Sequence, residues 1–429
     1  MRKNLTKSIL LTLSIMLLFR VLSVIPTIGV NNELLTSSMD VWGAFNILSG
    51  GALSSASIMA VGVSAFITAN IIMQMLAVVF ERLSAMQHGG ASDRRKYERL
   101  STIVGVIFSI FESFATAAYL GGTGVLYSAG FWSVAAVGAQ MFVGCLLTFW
   151  LAKLIDKYGF GEGISMILLT NILSSFPGAF ISLRNMISRQ LAVSATVAIF
   201  IAIGAFVVFF MSVYFIQGLH KDIPVSYSKR LSNSTLNKDK VLPIGFGLTG
   251  VMPIILSMSV LQLITMIAEF FPNSGILGVV AKFLTADNWF RPNAMIYSLG
   301  SLVVLALIIP CTMFYAKITL NTEMLAKNLQ IQNGVINRVR PGSETEAFLN
   351  KQTKKMFLCA GVVTALIVLV PQFVANFLGA QNVFYLGTGA IITVSVIDGL
   401  ITKFKAQNTQ LAIAKVINVP EKKIPVFGE

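Results

Sequence analysis

Ten stretches of about twenty mostly apolar residues recur along the chain, each the length a helix needs to cross a bilayer core. They cover residues 8–30, 58–80, 101–121, 131–152, 163–183, 191–217, 246–271, 293–316, 356–376 and 383–402. Residues 46–57 read Asn-Ile-Leu-Ser-Gly-Gly-Ala-Leu-Ser-Ser-Ala-Ser. That segment is too rich in small and polar residues to face lipid, so only protein or water can surround it at membrane depth. Charged residues make up 12% of the chain and hydrophobic residues 55%. Soluble domains carry about 25% charge, so the composition excludes an ordinary cytosolic enzyme, a disordered chain and a disulfide scaffold.

The formal charge is nevertheless +14. With the N-terminus inside, the segments between the stretches place 27 of the 32 Lys and Arg on the cytosolic side and four outside, Arg184, Arg189, Lys282 and Arg291. Arg20 lies within the first stretch. Positive residues stay in the cytosol, so both termini are expected there. Arg2, Lys3 and Lys7 before an apolar run resemble a signal peptide, but no A-x-A site follows, which suits an uncleaved first span. Five stretches followed by five place residues 1–185 and 186–429 in opposite orientations, the geometry of an inverted repeat. The fold class expected is an all-α membrane protein of ten transmembrane helices in two inverted halves.

Motifs for chemistry are missing. There is no GxxxxGK[ST], HExxH or GxSxG, so no nucleotide motor, zinc protease or serine hydrolase is encoded by those routes. Cys145, Cys311 and Cys359 sit in apolar runs without CxxC spacing, and His88 and His220 stand alone. No enzyme, metal or cofactor is expected. Arg20, Glu112, Glu269 and Asp398 lie at membrane depth, with Asp156 near an inner edge. Each costs roughly 2.5–3.5 kcal/mol at a helix centre and reads either as a proton or ion relay or as interhelical pairing or snorkelling at a helix end. Thr68, Asn70 and Gln74 interrupt the second stretch, with Asn70 and Gln74 on one helical face, reading either as interhelical bonds or as the border of a water-filled path. Two long basic loops, 218–245 and 317–355, face the cytosol. In the first, Ile223, Val225 and Tyr227 alternate with polar residues at strand spacing; in the second, Pro341-Gly342 forces a turn after Arg340.

These segments, in this order, resemble the SecY family of protein-conducting channels from about Phe19 to Lys405. Phe19-Arg20, Ile25-Pro26 and Gly29 are similar to the family's first span, residues 46–58 to its plug, and Gly62 through Gln74 to the half-helix that follows. Arg94-Arg-Lys96, Gly161-Glu-Gly-Ile-Ser165, Gly250-Val-Met-Pro253, Met313-Phe-Tyr315, Arg340-Pro-Gly342, Val370-Pro371 and Gly387-Thr388 continue the series.

The resemblance implies an hourglass pore in the cytoplasmic membrane of a bacterium, with both termini cytosolic. Its plug spans 43–57, including Ser49, Gly50, Gly51, Ala52, Leu53 and Ser54. An apolar ring of Val63, Ile67, Leu168, Ile255 and Ile391 or Ile392 forms the waist, which would gate by dewetting. A lateral gate between the second and seventh spans takes Asn70, Gln74 and Val251, and there signal sequences and membrane helices leave for lipid. Lys229, Arg230, Arg338 and Arg340 would dock a SecA ATPase motor or a ribosome, and small SecE-like and SecG-like subunits would complete the complex. Unfolded preproteins are the cargo; nucleic acid enters only through a ribosome. Asn337-Arg338 stands where the family has Pro-Gly, the lysine usual after the first docking loop is missing at Ile244-Gly-Phe-Gly247, and Val63 and Asn70 depart from the usual isoleucine and serine. These leave open which motor docks, and whether this is a housekeeping or an accessory channel. The alternative reading from the residues is a secondary transporter of a small solute, also built on inverted repeats. A membrane enzyme or flippase lacks a catalytic cluster.

Overall fold

A computed structural model describes residues 2–31, 52, 56–122, 124–128, 130–190, 195–227, 240–245, 247, 252–270, 279, 283–284, 295–320, 322–332, 334–336, 339–377 and 385–416. In chain order the helices are α1 (Arg2–Leu22), α2 (Ser64–Val79), α3 (Glu81–His88), α4 (Ala91–Gly122), α5 (Phe131–Tyr158), α6 (Gly163–Gln190), α7 (Ala195–Gln217), α8 (Met252–Phe270), α9 (Leu299–Thr319), α10 (Thr322–Ile331), α11 (Ser343–Phe377) and α12 (Tyr385–Val416). Strands β1 (His220–Tyr227) and β2 (Lys240–Gly245) follow α7, and β3 (Gly334–Ile336) follows α10.

Each of the ten apolar stretches carries a helix. Among the described residues six helices (α4, α5, α6, α7, α9 and α11) are long and apolar enough to cross a membrane. A seventh is obtained if α2 and α3 count as one broken span, bent by 116° where Phe80 turns extended at φ −105°, ψ 109°.

The first stretch departs from the expected 8–30. α1 stops at Leu22, and residues 23–31 run as turns and isolated bridges. Pro26 supplies no amide hydrogen and drives Ile25 out of the helical region. Three residues on, Gly29 takes φ +105°, where a side chain would be strained. Apolar composition continues to Val30, which is why the break is hidden in hydropathy.

By internal contacts the chain divides into two units. The first comprises Met1–Asn185 together with Ile392–Glu429, and the second Met186–Ile391. In the first unit α4 packs against α2 and α5. Small residues let these helices approach. A Cβ at Gly144 would overlap the Ile58 carbonyl oxygen, and one at Gly105 would strike the Phe66 ring. Phe66 in turn stacks on Phe149 with centroids 3.9 Å apart. Lipid tails are as apolar as leucine, so close packing and hydrogen bonds, not the hydrophobic effect, hold such helices together. Phe160 meets Phe404 edge to face at 6.4 Å, one contact by which the end of α12 joins this unit.

In the second unit α9 packs against α11 and α8. Its extramembrane part is a three-stranded antiparallel sheet in the order β2-β1-β3. Ile223 faces Leu242, and Val225 is flanked by Lys240 on one side and Ile336 on the other. The alternation in 218–245 is thus a real strand whose inward residues, Ile223 and Val225, are buried. With Ile244 and Ile336 they form a core against Ala316 of α9, Leu329 of α10, and Leu349, Met356, Phe357 and Ala360 of α11. In this water-facing part the hydrophobic effect does operate, at about 1.5–3 kcal/mol per fully buried aliphatic or aromatic side chain.

Candidate functional site

The chain around the expected plug is held at a defined point. Of the six plug positions, Ala52 is described and buried, and its carbonyl accepts the Ser57 amide at 2.8 Å. Ser49, Gly50, Gly51, Leu53 and Ser54 lie outside the described residues. Just beyond, the Ala56 carbonyl accepts both the Thr27 amide (2.9 Å) and the Thr27 hydroxyl (2.7 Å), and the Ile58 amide reaches the Ile25 carbonyl at 3.0 Å. The same segment bonds across to 125–127 through Asn31 and Gly29, and the Ile28 amide donates to Gln140 Oε1 at 2.9 Å. Ala56 takes φ +39°, a left-handed conformation unfavourable for a residue with a Cβ and sustained by these bonds. Nothing in the apolar run 8–30 signals this clamp.

Four of the expected ring residues belong to the first unit. Val63 caps the start of α2, Ile67 lies one turn on, Leu168 is in the first half of α6 and Ile392 is in α12. Ile255 on α8 and Ile391 on α12 belong to the second. All six are buried, so burial does not choose between Ile391 and Ile392.

Asn70 and Gln74 are each half-buried on α2. The Asn70 side-chain oxygen accepts the Ser101 hydroxyl of α4, which is the interhelical bond that the polar face allowed. Asn70 also lines a cleft of about 350 Å³ between α2, α4 and α5, whose walls include Arg95, Arg99, Lys153 and Asp156 and whose floor includes Phe66 and Phe149. Asn70 therefore borders a cleft with charged walls as well as bonding a neighbour. Val251 lies outside the described residues. Two further ionisable side chains bond locally. Glu112, buried on α4, has its Oε1 2.7 Å from the Ser64 hydroxyl oxygen, and Asp156, exposed at the end of α5, accepts the Gly163 amide at 2.6 Å, satisfying a free N–H at the start of α6.

The two basic loops come together through β1 and β3, a pairing across about a hundred residues of sequence that periodicity alone does not reveal. Lys229, Arg230 and Arg338 lie outside the described residues. Arg340 is exposed, and its backbone is locked: the Thr345 hydroxyl donates to the Arg340 carbonyl at 2.8 Å, and Gly342 takes φ +107°. The turn expected at Pro341-Gly342 is thus present and leads directly into α11. Among the described residues no group of His, Cys, Asp or Glu could hold a metal.

Long apolar helices in two contact units, a bent half-helix following a clamped segment and a sheet that joins two basic loops define a multi-pass membrane protein. The SecY family profile matches residues 57–401. A protein translocase subunit SecY of Mycoplasma pneumoniae is 30% identical over 420 residues, covering 94% of this chain and 86% of that one. A solved structure described as that of a protein-conducting channel superposes with a TM-score of 0.67 at 17% identity, covering 93% of this chain and 92% of that chain. Sec61 in the canine ribosome-channel complex gives 0.64 at 17%, covering 93% and 92%. The chain belongs to the SecY family. It is a protein-conducting channel subunit of a protein translocase, spanning the bacterial plasma membrane several times.

Proposed function

We propose that unfolded secretory polypeptide passes through a waist formed by Val63, Ile67, Leu168, Ile255 and Ile391 or Ile392, with the plug at 43–57 on its outer side. The observation that carries this reading is that every one of these positions is aliphatic and buried, within a stretch that matches the family from residue 57 to 401. A constriction without hydrogen-bonding partners excludes hydrated ions by dewetting and grips a peptide without regard to its sequence. Asn70, Gln74 and Val251 border the lateral exit, where a signal sequence partitions into lipid by its own hydrophobicity. Both termini lie in the cytosol, ten helices span the membrane, and the halves 1–185 and 186–429 form the inverted pair. Arg340, with Lys229, Arg230 and Arg338, docks a SecA-type ATPase motor or a ribosome, and SecE-like and SecG-like subunits complete the complex. The ribosome-bound Sec61 neighbour supports the ribosome as a partner.

The test is to arrest a secretory precursor midway and place a photocrosslinker at Ile67 or Ile255. Crosslinks from both sites to the arrested chain are expected. Their absence, with solute uptake by liposomes carrying the complex, would instead favour a small-solute transporter.

A further inference from the structure

Glu112 stands in the last third of α4, and its Oε1 lies 2.7 Å from the hydroxyl oxygen of Ser64, the first residue of α2. The same hydroxyl oxygen lies 2.6 Å from the carbonyl oxygen of Val61. Two oxygen–oxygen separations this short each need a hydrogen between them. A serine hydroxyl supplies one and a backbone carbonyl none. The second hydrogen must therefore be on the carboxyl group. From this geometry we infer that Glu112 is a proton-binding site that locks the first turn of α2: the acid donates to Ser64, and Ser64 donates to Val61.

Removal of the proton leaves a carboxylate that only accepts. The Ser64 hydroxyl then turns to Glu112, and the Val61 carbonyl faces the serine oxygen at 2.6 Å with no hydrogen between them. The Val61 carbonyl keeps the Ser64 amide at 3.2 Å, so the turn is loosened, not lost. That turn contains Gly62 at φ +51° and Val63, and the Cys145 thiol of α5 donates to the Gly62 carbonyl at 3.1 Å.

Among the described residues on the helices packed around it, no cation lies beside Glu112. α2 has no ionisable side chain from Ser64 to Val79. On α5 the titratable group beside Glu112 is the Cys145 thiol, which adds no positive charge; Lys153 is two turns further along. On α4 the nearest cation, Arg99, is 13 residues away, about 20 Å at the helical rise. Glu81, Arg82 and His88 of α3 lie beyond the far end of α2. Among the described residues no ion pair involves Glu112. The positive end of the α2 dipole favours a carboxylate, but by less than the cost of burying an unpaired charge.

The consequence for the channel rests on the proposed waist, because Val63 and Ile67 follow this turn directly. The closed arrangement is the protonated one, so its seal weakens as pH rises. Two measurements on the complete complex in lipid separate the parts. Infrared difference spectra at neutral pH should contain a protonated-carboxyl band that disappears in Glu112→Gln and shifts in Ser64→Ala. Resting ion conductance across planar bilayers should rise with pH for the native complex, and stay low and flat for Glu112→Gln, whose amide still donates to Ser64. No band at neutral pH in the native protein, where no variant need fold, overturns the proton site. A band with equal pH responses in native and Glu112→Gln complexes overturns the link to the seal and leaves the rest of the channel reading intact.

Discussion

The sheet β2-β1-β3 makes a prediction that two independent surface loops would not satisfy. Ile223 lies on the central strand, 4% exposed, within the core shared by β2, β3, α9, α10 and α11. Replacing it with alanine removes most of that side chain and leaves a cavity, a change that costs about 2–5 kcal/mol. If the loops 218–245 and 317–355 open as one cooperative unit, that loss appears in the opening free energy of all three strands. At about 1.4 kcal/mol per factor of ten, the lower bound is about a 30-fold acceleration of amide hydrogen exchange. The assay is exchange mass spectrometry on the complex in lipid, comparing peptides over His220–Tyr227, Lys240–Gly245 and Gly334–Ile336. The control is Val241→Ala on the half-exposed face of β2, where a surface change stays within about 0.5 kcal/mol, roughly a twofold effect. Acceleration confined to β1 and β2, with β3 at its native rate, would refute the single-platform reasoning.

Arg340→Glu should abolish precursor translocation driven by a motor or ribosome while the complex accumulates normally and keeps its thermal unfolding midpoint, because the side chain is exposed and supports no packing. Native translocation rates from that variant would remove Arg340 from the docking surface. Ile255→Asn should raise resting ion conductance in planar bilayers, since a hydrogen-bonding side chain at a dewetted constriction lets water and ions in; an unchanged conductance would take Ile255 out of the ring.

Much of this architecture is legible in hydropathy because a bilayer imposes one length on every crossing helix. The alternation of Ile223, Val225 and Tyr227 likewise exposes β1, since its inner face is buried by period two. β3 escapes the same reasoning. Three residues, Gly334–Ile336, are too few for a period, and their partner lies about a hundred residues earlier. The end of α1 escapes because Val24, Ile25, Ile28 and Val30 keep the stretch apolar while Pro26 ends the helix. The ring is hardest. Valine, isoleucine and leucine line a waist and fill a core equally well, so their role came from a family resemblance and their burial is consistent with either. Glu112 is visible in the sequence as an ionisable residue at membrane depth, and its contact with Ser64 ties it to the neighbouring helix α2.

Several polar side chains at membrane depth are bonded inside the protein, which bears on how a channel can accept any sequence. Thr148 bonds the Gly144 carbonyl, Ser109 the Val106 carbonyl and Thr116 the Glu112 carbonyl, each within its own helix. Asn70 and Glu112 bond hydroxyls on neighbouring helices. Every one of these donors or acceptors would otherwise offer a passing chain a partner that some sequences could use and others not, and the release of each such bond would slow transit unevenly. Bonding them internally removes them as partners for a chain that passes the proposed aliphatic waist, whose attraction depends on contact area alone. On the proposed reading, indifference to cargo sequence depends on where these polar groups are bonded as well as on which residues form the ring.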